Sequence, residues 1–212
     1  MIRKILLTVI LTLGLAGSAA AGELSQAQQH EVIAKINSAV SHLGSMSCSF
    51  VQTKHLSMLS DKMVSEGRMY YSRPDRLRWE YTTPYKYLFV FNGSKVYVGN
   101  DSRKDVIDTN SNKVFKEVAR IMMSTVTGTA LSDTADFDTS VAGIKDSWEV
   151  TLVPKKKEMR RMFAKIIMTF SKNASMISEV RIYEKNGDRT EIKFKDITAN
   201  AGIEESLFNI PK

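Results

Sequence analysis

Apolar and polar residues follow two different rhythms along this chain, and the points where the rhythm changes mark its elements. In "SQAQQHEVIAKINSAVSHLG", Ser25 to Gly44, the apolar Ile33, Ile36, Val40 and Leu43 recur at spacings of three and four, which predicts an amphipathic helix. Ser25 with Gln28 three residues on makes a capping box at its start, and Gly44 suits a left-handed position just past its end. From Cys48 to about Thr109 the period falls to two. Within "YSRPDRLRWEYTTP", Tyr71 to Pro84, Leu77, Trp79 and Tyr81 alternate with Arg76, Arg78 and Glu80, as in a strand with one apolar and one wet face. Asn92-Gly93 and Asn186-Gly187, each between β-rich runs, predict hairpins with type I′ turns. Between the two strand-rich regions, Val114, Phe115, Val118, Ile121 and Met122 form a stripe that predicts a second helix from Val114 to about Ser124. The small, polar "TVTGTALSDTADFD" after it reads as a loop.

Two helices among many strands, without strand-helix alternation, predict a mainly β, α+β fold: an antiparallel sheet covered on one side by helices. No internal repeat or low-complexity segment interrupts it. The first residues add a destination. "MIRK" is positively charged, "ILLTVILTLGLAG" is apolar but too short to span a bilayer, and Ala19–Ala21 offers a small-residue cleavage site. Met1–Ala21 therefore reads as an export signal, leaving a single domain over residues 22–212. "LAGS", Leu15 to Ser18, carries serine where a lipoprotein box needs cysteine, so a soluble rather than an anchored product is expected.

The formal charge of +7 includes Arg3 and Lys4, and falls by two to +5 without the signal. That charge is spread over strands and turns instead of gathering around aromatics, which excludes a nucleic-acid binder as the leading class. The one dense run, "KKKEMRR" from Lys155 to Arg161, reads first as a solvated hairpin loop and second as a contact for acidic protein or anionic headgroups. The single cysteine, Cys48, rules out an internal disulfide and fits a small core residue.

Catalytic and metal-binding patterns are missing. His30, His42 and His55 have no metal-ligand spacing, and the chain has no nucleophile elbow, phosphate loop or dinucleotide fingerprint. No cofactor is expected. Methionine is plentiful, with ten beyond Met1; thioethers fill irregular cores and also adapt to irregular ligands.

"SFVQ" at Ser49–Gln52, "EGRMYYSRPDRLRWEY" at Glu66–Tyr81, Pro84 and "NGSKVYV" at Asn92–Val98 resemble the LolA family in order and spacing. "LVPK" at Leu152–Lys155, the "EKNGDRTEIKF" hairpin and the closing "FNIP" extend the likeness more weakly. The resemblance implies a half-open antiparallel β-barrel of about eleven strands under a helical lid, with an apolar cavity that takes lipoprotein acyl chains and makes or breaks no bond. An acyl-chain cavity is thereby expected from Phe50, Met69, Tyr71, Leu77, Trp79, Tyr81, Phe89, Phe91, Val118 and Met122. Leu77 departs from the family, whose best-known members have an aromatic residue there. Arg73 falls on the family's arginine before proline, which is implied to bond lid backbone and keep the empty protein closed.

The implied partners are an inner-membrane ABC lipoprotein-releasing complex and an outer-membrane acceptor or the outer-membrane surface, met by a periplasmic monomer. The chain ends at "FNIPK" without the C-terminal extension of some members, and with the basic run this raises direct bilayer contact as an expectation. The same fold with another cargo, a pigment or glycolipid, or a lipoprotein-sensing role in envelope stress, is the alternative. An exported hydrolase would instead need titratable groups converging in the cavity.

Overall fold

The computed structural model describes residues 22–59, 61–126, 131, 135–173 and 176–210, so the expected signal over residues 1–21 lies outside the described residues. In chain order the elements are β1 (Gly22–Glu23), α1 (Gln26–Ser41), β2 (Ser45–His55), β3 (Lys62–Ser72), β4 (Arg76–Thr83), β5 (Tyr87–Asn92), β6 (Lys95–Gly99) and β7 (Lys104–Asp108). There follow α2 (Lys113–Val126), β8 (Phe137–Ile144), β9 (Ser147–Pro154), α3 (Lys157–Met162), β10 (Phe163–Ser171), β11 (Ile177–Glu184) and β12 (Arg189–Ala199). A 3-10 turn, Glu205–Phe208, packs near the end of the chain.

All the strands join one antiparallel sheet in the order β1-β8-β9-β10-β11-β12-β2-β3-β4-β5-β6-β7. Two meanders, β2 to β7 and β8 to β12, are stitched by β12 against β2, where Phe194 stands opposite Phe50 and Ile192 opposite Gln52. The order ends at β1 and β7 without closing, which gives a half-open barrel: eleven strands of five residues or more, with the two-residue β1 added at one edge. Curvature enters where the ladder slips. β3 and β4 shift register between Glu66 and Gly67, and β12 against β2 shifts between Lys195 and Thr198, and such irregularities bend a strand and increase its twist.

Helix α1 begins as its sequence requires, with the Ser25 hydroxyl accepting from the Gln28 N–H and the Gln28 side chain accepting from the Ser25 N–H. It buries Val32, Ile36 and Val40. Its end differs from expectation. Gly44 is not among the positive-φ residues; Leu43 N–H bonds the Val40 carbonyl instead, and Gly44 N–H donates to Asn200 Oδ1 at 2.7 Å. A tertiary acceptor thus replaces the local left-handed cap.

Both hairpin turns form, the first shifted by one residue and the second as a three-residue loop closed by the Glu184 N–H on the Asp188 carbonyl. Asn92 pairs with Lys95, so the loop is Gly93-Ser94, and only Gly93 (φ 62°) is left-handed. Asn92 stays in the strand because its side-chain N–H bonds the Phe208 carbonyl at 3.1 Å. In the second hairpin Gly187 (φ 91°) is left-handed and Asn186 is not; Asn186 instead accepts from the Asp188 N–H. Nor is "KKKEMRR" a plain loop: Lys157–Met162 is a short helix that buries Met159 and keeps its basic residues outside. Part of the stretch after α2 lies outside the described residues, and its last two residues open β8.

Candidate functional site

Alternation decides which side chains of β2, β3 and β4 face the concave side. In β2 the buried Met46, Cys48 and Phe50 share a face with Gln52. In β4 that face carries Leu77 and Trp79, both buried, and the half-buried Tyr81. Between them, Gly67 of β3 stands opposite both Phe50 and Tyr81. A Cβ on Gly67 would lie 2.1 Å from the Glu80 carbonyl oxygen and 2.4 Å from the Phe50 ring. The missing side chain is the space the Phe50 ring fills. From there Phe50 meets Trp79 at 4.4 Å between ring centroids and Tyr81 edge-on at 5.3 Å.

Beyond this aromatic cluster lies a cavity of about 210 Å³. Gln52, Trp79 and Tyr81 line one side, Ile166, Val180, Ile182, Ile192 and Phe194 of β10 to β12 the other, and Ile121 and Met122 of α2 cover it. Three of the residues expected from the sequence, Trp79, Tyr81 and Met122, line it directly, and Phe50 supports the rings from behind. Met69, Tyr71, Leu77 and Phe89 are buried in the continuous core with Val32, Ile36 and Val40 of α1, and Phe91 packs half-buried against it. The Val118 side chain lies outside the described residues. Most other methionines sit elsewhere: Met46, Met69, Met159 and Met168 are core, while Met58, Met63 and Met162 are exposed.

Arg73 follows the last residue of β3. Its guanidinium donates from Nη2 to the Ser41 carbonyl at 2.8 Å and the Val40 carbonyl at 3.4 Å, and its N–H bonds the Gly44 carbonyl. Val40 and Ser41 close the last turn of α1 and Gly44 follows it, where carbonyls run out of the regular partners four residues on. The last turn of α1 has no basic residue of its own, so Arg73 supplies the cation that complements the helix dipole. Arg73 therefore holds α1, whereas the helix over the cavity is α2. That helix has a separate tie: Arg120 reaches Asp136 at 2.6 Å, and Lys156, at the start of α3, reaches the other carboxylate oxygen at 2.5 Å. The Asp136 side chain is 4% exposed, and its hydrogen bond from Lys156, with the Arg120 charge beside it, holds its pKa below the ordinary carboxylate value.

The family model for the outer membrane lipoprotein carrier protein LolA matches residues 41–211. The chain belongs to the LolA family. An outer-membrane lipoprotein carrier protein of Chromohalobacter salexigens is 27% identical over 144 residues, 68% of this chain and 65% of that protein. One of Chromobacterium violaceum is 25% identical over 92% of this chain and 90% of its own length. A solved structure of a conserved protein from Thermus thermophilus shares the fold with a TM-score of 0.55 at 11% identity, over 89% of this chain and 96% of that one.

In this LolA-family fold most of the large exposed apolar side chains lie toward one end of the strands. Met58 (94% exposed) and Leu59 (60%) are on the β2–β3 turn, Tyr85 (76%) on the β4–β5 turn, and Met162 (54%) at the end of α3. Ser57 bonds Asp188 and the Asn186 carbonyl, and Lys185 N–H bonds the Met162 carbonyl, which ties these turns to the β11–β12 hairpin. Lys157, Arg160 and Arg161 are exposed beside them. Gln52, Tyr81, Ile166, Ile182 and Ile192 of the cavity are the lining residues nearest that end. The likeness to the family concentrates between Ser49 and Val98, which is why residues of β10 to β12 were not expected in the lining. The signal for them is the period-2 placement of Val180 with Ile182 and of Ile192 with Phe194. No sequence pattern joins Arg120, Asp136 and Lys156.

Proposed function

We propose that this protein binds the acyl chains of lipoproteins in the cavity under α2 and carries them through the periplasm. Loading at an inner-membrane ABC lipoprotein-releasing complex and delivery to an outer-membrane acceptor, or to the outer-membrane surface, are the two ends of that route, with Met1–Ala21 as the export signal. The observation that carries the reading is the cavity itself. In a LolA-family fold it is lined, among the described residues, by nine with apolar or aromatic side chains and by the amide of Gln52.

At about 210 Å³ the cavity is smaller than the roughly 300 Å³ at which ligand pockets usually begin. An acyl chain therefore does not fit without a wider opening, and loading displaces α2. Each buried methylene contributes about 0.8 kcal/mol, so a few acyl chains outweigh a lid held by several polar bonds, and loading is a population shift between closed and open forms. Arg73 contributes on the closed side by fixing the end of α1.

Native mass spectrometry of the protein purified from the periplasm tests the reading. A copurified triacylated lipoprotein is the expected result; a free pigment or glycolipid in its place moves the cargo to another amphiphile. Arg73→Leu removes bonds made in the closed state, so its loaded fraction should rise and its release to acceptor membranes slow. Unchanged loading and release would remove Arg73 from the mechanism.

A further inference from the structure

The cavity is apolar except in one corner, where three polar groups converge. The Tyr81 hydroxyl donates to Gln52 Oε1 at 2.9 Å, which fixes the amide and leaves its Nε2, the two-proton donor end, without an acceptor among the described residues. Trp79 is 6% exposed, and its indole Nε1 is buried without a hydrogen-bond partner. It lies near enough to the Tyr81 oxygen to draw that phenol's pKa down against the larger, upward effect of burial, yet outside bonding geometry. Among the described residues the lining contains no Lys, Arg, His, Asp or Glu. The corner is thus rich in N–H and carries no charge.

A buried donor left without an acceptor costs about 1–3 kcal/mol; the Trp79 indole N–H is such a donor, and with the half-buried Gln52 amide it borders a space built for a ligand. A bare hydrocarbon would leave them unpaired. A carboxylate would pair them but bring an uncompensated charge into an apolar cavity, at a much larger cost. A neutral carbonyl oxygen satisfies them with neither cost. We infer that the Gln52 amide N–H, oriented by Tyr81 and adjoined by the Trp79 indole, binds the carbonyl oxygen of an ester- or amide-linked acyl chain and selects such chains over free fatty acids and hydrocarbons. This rests on the acyl-chain reading above and specifies its ligand. Gln52 is the specificity-determining donor; Tyr81 acts through it as a positioning residue.

The test measures binding of methyl dodecanoate, ionised dodecanoate and dodecane to the mature protein, each by displacement of a bound environment-sensitive dye. The wild type should bind the ester more tightly than the alkane by about two- to ten-fold, the range of one net hydrogen bond, and the carboxylate most weakly. Gln52→Leu should lose the ester's advantage while binding the alkane at least as well. Tyr81→Phe, which retains the ring and frees the amide, should reduce the advantage without changing alkane affinity. Equal ester and alkane binding in the wild type, or an undiminished preference in Gln52→Leu, overturns the role of the amide and leaves the acyl-chain cavity standing. Failure of all three probes to displace the dye overturns both.

Discussion

At the scale of single residues, the concave face shows how one strand pattern serves two purposes. Cys48, Phe50 and Gln52 share a face of β2, yet Cys48 is sealed in the core and Gln52 reaches the cavity. Burial pushes the Cys48 thiol up to about 12, so almost no thiolate exists at neutral pH, and thiolate is the reactive form. A disulfide-exchange reagent should leave the native protein untouched at mildly alkaline pH and react with one equivalent once denaturant is added; prompt labelling of the native protein would show that the β2 face opens. The face itself was legible in the sequence at Trp79 and Tyr81. Its division into lining and core was not, because Leu77 and Trp79 follow the same alternation while only Trp79 borders the cavity.

Among the elements, β3 and α2 each depend on one unusual residue. Gly67 is needed because the Phe50 ring and the Glu80 carbonyl occupy the place of a Cβ. Gly67→Ala forces backbone as well as ring to shift, and overpacking of this kind costs about 1–3 kcal/mol; thermal denaturation should show a lowered midpoint with unchanged far-ultraviolet dichroism. For α2 the residue is Asp136. Its folded-state pKa lies below the ordinary value of 3.8, so the folded protein binds the proton less readily than the unfolded chain does. The stabilisation is fully present above the unfolded value and is lost as pH falls through the folded one. Asp136→Asn should reproduce that loss at neutral pH, exposing the cavity to an environment-sensitive dye, and should flatten the acid limb of the wild-type stability curve below about pH 4. An unchanged acid limb would show that Arg120 and Lys156 hold α2 by other means.

For the whole molecule, the end of the strands nearest the cavity carries both Met58, Leu59, Tyr85 and Met162 and the basic side of α3. On the surface-delivery reading proposed above, apolar tips beside Lys157, Arg160 and Arg161 would meet an anionic bilayer, where a basic residue near the surface adds about 1 kcal/mol. Flotation with anionic liposomes should carry the protein upward at low salt and leave it behind at high salt or after Met58→Asp and Leu59→Asp; absence from the liposome layer at low salt would favour delivery to a protein acceptor. Local sequence determined a great deal of this architecture: the capped first helix, the alternating strands, the positions of the hairpins to within a residue, and the family. The elements follow from interactions between residues a few positions apart, where period and turn chemistry are directly encoded. Tertiary structure alone decided that Asn200 would replace a left-handed cap at Gly44, that Arg73 would serve α1 while Asp136 ties α2, and that Ile166, Val180, Ile182, Ile192 and Phe194 would meet Gln52 across a cavity. Periodicity specifies which face of a strand turns inward, but what covers that face depends on register and packing between elements more than a hundred residues apart, from Gln52 to Phe194.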